Sequence, residues 1–144
     1  PIAIVSNKPD SAVKALCADY FPGIYALGEI SDYPRKPAPD MVFKAMKDIG
    51  VERCVYVGDS EVDVLTAKNS GMPCVCVLWG FRDREDMEAV GAVHFCEDTA
   101  VFAEKIALLH IVGAFSAGQG LFIIGNMANE IEIIYVCHIL IGLH

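Results

Sequence analysis

Residues 54–73 read CVYVGDSEVDVLTAKNSGMP, an apolar β-branched run that stops at Gly58-Asp59 and turns at once into a segment of helical character. A short run of this kind reads as a buried strand, and in open α/β folds ligands bind at the carboxyl tips of such strands. Asp63 follows Asp59 by four residues. With a helix starting near Ser60 or Glu61, that spacing brings both carboxylates to one place, the strand tip and the first helical turn. Two acids so close repel each other, so a positive group is expected to join them, and oxygen donors of this type suit Mg²⁺.

On the amino-terminal side, Ile2 to Val5 reads as a short strand that ends in the polar loop Ser6 to Asp10. Val13, Leu16, Cys17 and Tyr20 then recur at helical spacing, until Phe21-Pro22-Gly23 breaks the pattern. Ile24 to Leu27 reads as a second short strand, and Ser31 to Pro39 (SDYPRKPAP) as a loop stiffened by three prolines. Pro39 opens a helix with Met41, Val42, Ala45, Met46 and Ile49 on its apolar face, stopped by Gly50. On the carboxyl side, Cys74 to Leu78 reads as a strand, Trp79 to Arg82 as a loop, Asp83 to Val90 as a short acidic helix and Val93 to Phe95 as a weak strand. A last helix from Thr99 to about Leu109 is capped by Asp98 or Thr99. Strands alternating with helices predict an α/β fold, a parallel sheet covered on both faces.

The 144 residues carry a net charge of -8, which argues against nucleic acid as a partner because no basic patch is present to meet its phosphates. A small phosphorylated molecule remains compatible, since a few local cations and a metal outweigh a global field. The chain is 54% hydrophobic with a mean hydropathy of +0.43, and the excess is concentrated late. Beyond Lys105 there is no Lys or Arg, and only Glu130 and Glu132 carry formal charge. Six cysteines show no metal-binding CxxC pairing and read as buried reduced thiols, as in a cytoplasmic protein. The four histidines have no ligand spacing. Because the chain opens in a strand, with no initiating Met and no basic leader, it reads as an amino-terminally truncated fragment.

Three further features bear on chemistry: Ser6-Asn7, Lys36 between prolines, and Gly58-Asp59-Ser60 with Asp63. A hydroxyl with nearby N–H groups grips phosphate oxygens, a lysine neutralises charge and an acid pair holds Mg²⁺, which together is what phosphoryl transfer needs. Each alone has a plain structural reading: Ser6 as a helix cap, Lys36 as a solvated loop charge, Asp63 as a first-turn acid favoured by the helix dipole. Trp79 to Phe81 reads as loop packing, and Arg82 and Arg84 as partners for the neighbouring acids Asp83, Glu85, Asp86 or Glu88.

The segments VSNKPD (5–10), RKPAPDMV (35–42), VYVGDSEVD (55–63) and WGFRDRE (79–85) occur in an order that resembles the haloacid-dehalogenase-like hydrolases, in their phosphoglycolate-phosphatase branch. The resemblance covers about residues 1–109 and implies a three-layer Rossmann-like domain. It implies that Ser6 binds the transferring phosphoryl group, with Asn7 and Ser60 as secondary candidates. Lys36 would pair with nucleophile and phosphate, Asp59 would ligate Mg²⁺, and Asp63 would support the metal shell directly or through water. The family's DxDGT-like motif, which supplies the nucleophile, is absent: no DxD occurs in this chain. The helical cap that sets substrate choice in the family is absent with it. The resemblance also places the nucleophile strand between the strands that here end at Ser6 and Asp59, so the expected domain lacks the middle of its sheet. The implied parent is a Mg²⁺-dependent phosphatase of a small phosphomonoester such as 2-phosphoglycolate, working through an aspartyl-phosphate, and this chain alone is expected to be inactive.

Two other classes compete with that reading. One is a non-catalytic phosphate and Mg²⁺ binding fragment, favoured by the missing nucleophile. The other is a phospho-receiver signalling domain, which needs its acid pair early, whereas here the acids come late. Residues 110–144 form an apolar tail outside the resemblance. The uncharged stretch 106–129 holds His110, Ser116, Gln119, Asn126 and four glycines, and no basic flank follows it, which makes it a poor membrane span. Ile131 to Ile141 (IEIIYVCHILI) has the pattern of a strand covered on both sides and is expected to take a sheet position beside the strands left without a centre. The alternative is that the tail is a frameshift or fusion product.

Overall fold

A computed structural model describes residues 1–102, 104 and 134–135 of the chain. The elements are β1 (Ala3–Pro9), α1 (Asp10–Tyr20), β2 (Tyr25–Glu29), α2 (Asp40–Ile49), β3 (Tyr56–Gly58), α3 (Glu61–Asn69), β4 (Cys74–Val77), α4 (Arg84–Ala89), β5 (Phe95–Cys96) and β6 (Ile134–Tyr135). Residues 99–102 and 104 are helical, and Asp98 caps that turn by accepting the Val101 N–H at 2.8 Å. The uncharged stretch 106–129 lies outside the described residues.

Every described strand pairing is parallel. β1 pairs with β2, and a second sheet runs in the order β5-β4-β3-β6. Strand alternation sorts the core into two faces. Ala3 and Val5 of β1, Leu27 of β2 and Tyr56 of β3 point to one face, where Met41, Val42, Ala45 and Met46 of α2 and Ala67 of α3 cover them. On the β4–β5 side, Cys76 and Phe95 meet Val64 of α3 and Met87 of α4. Ile4, one residue out of phase, packs with Val13 and Cys17 of α1. Val55, Val75 and Cys96 pack against Val101 and Phe102. Helices therefore flank the strands on both sides, which is the predicted three-layer α/β arrangement, and it explains why the strands are continuously apolar.

The differences from expectation have local causes. β1 continues through Ser6 and Asn7 to Pro9, with a register break between Val5 and Pro9, so the two polar residues stand in an irregular strand end rather than a loop. β3 begins at Tyr56, not Cys54. Leu16 is only half-buried and Tyr20 is exposed, so the inward face of α1 reduces to Val13 and Cys17. β3 does not lack a neighbour on its inner edge: Tyr56 stands opposite Ile134 and Val57 opposite Tyr135. The expected strand over Ile131 to Ile141 is thus present for these two residues, and its remaining positions lie outside the described residues.

Candidate active site

The carboxyl end of β3 delivers Asp59, and α3 starts immediately with Ser60 as the extended residue before its first turn. Asp63, in that first turn, folds back onto the strand tip. Its Oδ2 accepts the Asp59 N–H at 3.2 Å and the Ser60 hydroxyl at 2.7 Å, and its Oδ1 accepts Lys36 Nζ at 2.8 Å and the Tyr56 hydroxyl at 3.1 Å. Both oxygens of this fully buried carboxylate are thus doubly engaged. Burial pushes the Asp63 pKa up, but the Lys36 charge and the hydrogen bonds from Lys36, Ser60 and the Asp59 amide outweigh it, so the carboxyl sits below its ordinary range. The same burial, with the Asp63 charge beside it, pushes the Tyr56 phenol well up, so it donates as a neutral hydroxyl.

Lys36 is the positive group that the acid pair required. Its side chain is 2% exposed and reaches Asp63 from a different part of the chain. Asn7 fixes its backbone from both sides: Asn7 Nδ2 donates to the Lys36 carbonyl at 2.9 Å, and the Lys36 N–H donates to Asn7 Oδ1 at 2.8 Å. The Lys36–Pro37 peptide is cis. Asn7 therefore positions the lysine through its backbone. Ser6, 5% exposed on the same strand, accepts the Lys8 N–H at 3.2 Å. Direct bonds thus join Lys36, Asp59, Ser60 and Asp63, and Asn7 ties β1 to them. Ser6 enters the group only through its neighbour.

The loop after β4 closes over Asp59. The Phe81 N–H donates to Asp59 Oδ2 at 3.0 Å and the Arg82 N–H to the Asp59 carbonyl at 3.1 Å. Gly80 packs so tightly that a Cβ there would lie 2.1 Å from the Asp59 Cβ, and a Cβ on Gly58 would lie 2.2 Å from that of Asp63. Both glycines are needed because a carboxylate occupies the space a side chain would take. Arg82 pairs with Glu61 at 3.1 Å rather than with the acids that follow it, since its loop lies over the start of α3; Arg84 does pair with Glu88, at 3.6 Å. Trp79 packs edge-on to Phe102, as loop packing predicts. Tyr56, Gly80 and Phe81 were not legible as site residues. Tyr56 looked like core, and nothing in the local pattern shows that the loop after β4 folds back on β3.

The donors fit a hard cation. Asp59 offers a carboxylate at the strand tip, and Asp63, whose oxygens each already accept two hydrogen bonds, fits better through a water. Mg²⁺ commonly keeps several waters beside one or two carboxylates. Among the described residues no group of three or more His, Cys, Asp or Glu side chains gathers to form a self-sufficient metal cage.

A HAD-hydrolase-like family model matches residues 33–102, from the lysine loop to the turn after β5. A phosphoglycolate phosphatase of Xanthomonas campestris pv. campestris is 50% identical over 94 residues, covering 58% of this chain and 40% of that protein. One from Rhodobacter capsulatus is 39% identical over 87 residues, covering 57% and 39%. The crystal structure of a candidate phosphoglycolate phosphatase from Lactobacillus delbrueckii subsp. bulgaricus superposes with a TM-score of 0.68 at 46% identity, over 72% of this chain and 45% of that one. Over these stretches the chain is similar to the haloacid-dehalogenase-like hydrolases. It spans about two fifths of the curated hydrolases it matches. The stretch matched by the family model contains Lys36, Asp59, Ser60 and Asp63, whereas Ser6 and Asn7 precede it.

Proposed function

We propose that this chain is the phosphate- and Mg²⁺-binding portion of a cytoplasmic phosphatase of the phosphoglycolate-phosphatase type, acting on a small phosphomonoester such as 2-phosphoglycolate. The observation that carries the reading is the buried Lys36–Asp63 pair at the tip of β3, locked to Asp59 and Ser60 on one side and to Asn7 on the other. Burying a lysine is costly unless it is paired, and Lys36 has three N–H donors, of which the Asp63 bond uses one. The others are available to a phosphate oxygen. Ser6 and the backbone around Asn7 would hold a second phosphate oxygen. Asp59 would hold Mg²⁺, with Asp63 acting through water and fixing the lysine; the bound ion would neutralise phosphate charge and polarise the phosphoryl group.

In the parent enzyme an aspartate nucleophile takes the phosphoryl group and water releases it. This chain has no DxD pair, and among the described residues Cys17, Cys54, Cys76 and Cys96 are buried. Burial raises the pKa of the Cys17 thiol and pushes that of Cys54 up to about 12. Among the described residues no base is hydrogen-bonded to the Ser6 hydroxyl. The isolated chain therefore binds without turnover. Phosphorus NMR of inorganic phosphate with the purified chain tests binding. Mg²⁺-dependent line broadening is expected, reduced at least about tenfold in affinity by Lys36→Met or Asp59→Asn. Absence of any Mg²⁺-dependent interaction would sink the binding reading, and hydrolysis of a phosphomonoester by the 144-residue chain would refute the claim of inactivity.

A further inference from the structure

Among the described residues the two sheets are not hydrogen-bonded to one another. β1 carries β2 on one edge, β3 carries β4 on one edge, and the inner edges of β1 and β3 face the same gap. Ala3, Ile4 and Val5 of β1 and Tyr56 and Val57 of β3 are all buried, so water cannot satisfy the amide and carbonyl groups of those inner edges. A gap between two buried parallel strands has strict requirements. Its occupant must run parallel, offer a full set of backbone partners, and be apolar on both faces because helices cover both faces.

Ile134 and Tyr135 are in the gap. They pair in parallel with Tyr56 and Val57, on the edge of β3 opposite β4, and lie against β1 on their other side. They come from Ile131 to Ile141 (IEIIYVCHILI), a segment rich in β-branched and apolar residues that Glu132 and His138 interrupt. A two-residue pairing reached across some seventy intervening residues carries a large loop-closure cost, and only burial with good backbone pairing offsets it. We propose that the gap between β1 and β3 is a strand-acceptor site, and that this chain fills it in cis with Ile134–Tyr135, hydrogen-bonded to β3 and lying against β1.

The site stands independently of the phosphatase reading, because it needs no metal and no phosphate. It also gives the tail a structural role that a frameshift or fusion product would not be expected to have. The occupant is this chain's own segment rather than that of a second copy, because pairing within one molecule avoids the entropy of association.

Cross-linking in register tests this. Neighbouring strands lie about 4.8 Å apart, inside the Cα separation that a disulfide spans, so a Val57→Cys/Tyr135→Cys variant should oxidise to a link within one chain. Peptide mapping distinguishes that link from any involving the native cysteines. The offset pair Val57→Cys/Ile134→Cys places its Cβ atoms on opposite faces and should link at least about tenfold less. Equal yields from the two pairs, or links found only between copies, would overturn the assignment. Hydrogen exchange on the unsubstituted chain supplies a readout that no variant can spoil by misfolding. The amides of residues 134 and 135 should exchange within about tenfold of the slowest amides of β3. Exchange at the rate of an unstructured chain would overturn it.

Discussion

Lys36 and Asp63 are the two residues whose removal distinguishes a site from a core. Both side chains are nearly inaccessible, at 2% and 1%, so each charge depends on the other for compensation. Lys36→Met should leave Asp63 buried and uncompensated, and should cost about 3–5 kcal/mol in urea unfolding. Combining it with Asp63→Asn removes the orphaned charge. The double variant should be more stable than the sum of the single effects by about 1–3 kcal/mol. Strict additivity would mean that the pair does not form. Tyr56→Phe isolates a smaller contribution, because the hydroxyl and its bond to Asp63 are lost while the ring volume stays. A hydrogen bond to a buried carboxylate contributes about 1.5–3 kcal/mol, and that is the destabilisation expected.

At the scale of elements, the loop after β4 is built around Asp59, and Gly80 is where that dependence is tightest. Gly80→Ala would drive a methyl into the Asp59 carboxylate, 2.5 Å from Oδ2, and strain the Phe81 N–H bond to that oxygen. Mg²⁺ affinity in the presence of inorganic phosphate, measured by calorimetry, should fall about 10–100-fold, the scale seen when supporting groups around a ligand are disturbed. A second joint lies between α1 and β2, where Asp10 accepts the Gly28 N–H at 2.9 Å and pairs with Lys14 at 2.7 Å. Burial opposes ionisation of Asp10, but the Lys14 bond, the Gly28 amide and the Lys14 charge together lower its pKa below the ordinary 3.8. Its contribution is therefore complete above that value and lost as pH falls through the lower folded value. Asp10→Asn should cost about 0.5–1 kcal/mol at neutral pH, with the difference from the unsubstituted chain vanishing in acid.

These elements also show what could be read in advance. The four-residue spacing of Asp59 and Asp63 and the arrival of a cation are consequences of local geometry and charge, and both are visible in one short stretch. That Lys36 is the cation, and that Asn7 holds it, depends on which strand tips become neighbours; motif order implied the first and nothing local implied the second. Strand limits moved because register is a property of pairs. β1 runs past Val5 because β2 continues to bond it after a break, and β2 is not visible from within β1. Arg82 meets Glu61 for the same reason: its partner is near in space and 21 residues away in sequence.

For the whole molecule the question is whether two hydrogen-bonded sheets behave as one cooperative unit. Four buried cysteines happen to sample the four apolar clusters: Cys54 lies in the cluster under α2, Cys76 in that under α4, Cys96 on the opposite face, and Cys17 against α1. An alkylating reagent must reach the sulfur, and burial denies it access in the native fold, so each thiol reports the opening of its own cluster. Cys17 belongs to the β1–β2 side and Cys96 to the β4–β5 side. The cluster under α2 contains Ala3, Val5 and Leu27 from one sheet and Tyr56 from the other, so neither sheet can open without exposing residues of the other. Pulsed alkylation at increasing urea, with mass-spectrometric readout at each site, should therefore give the same opening free energy and the same m-value for Cys17 and Cys96. If Cys17 became reactive at a urea concentration where Cys96 stayed protected, the β1–β2 layer would be an independent folding unit, and neither the shared cluster nor the strand between β1 and β3 could be holding the sheets together.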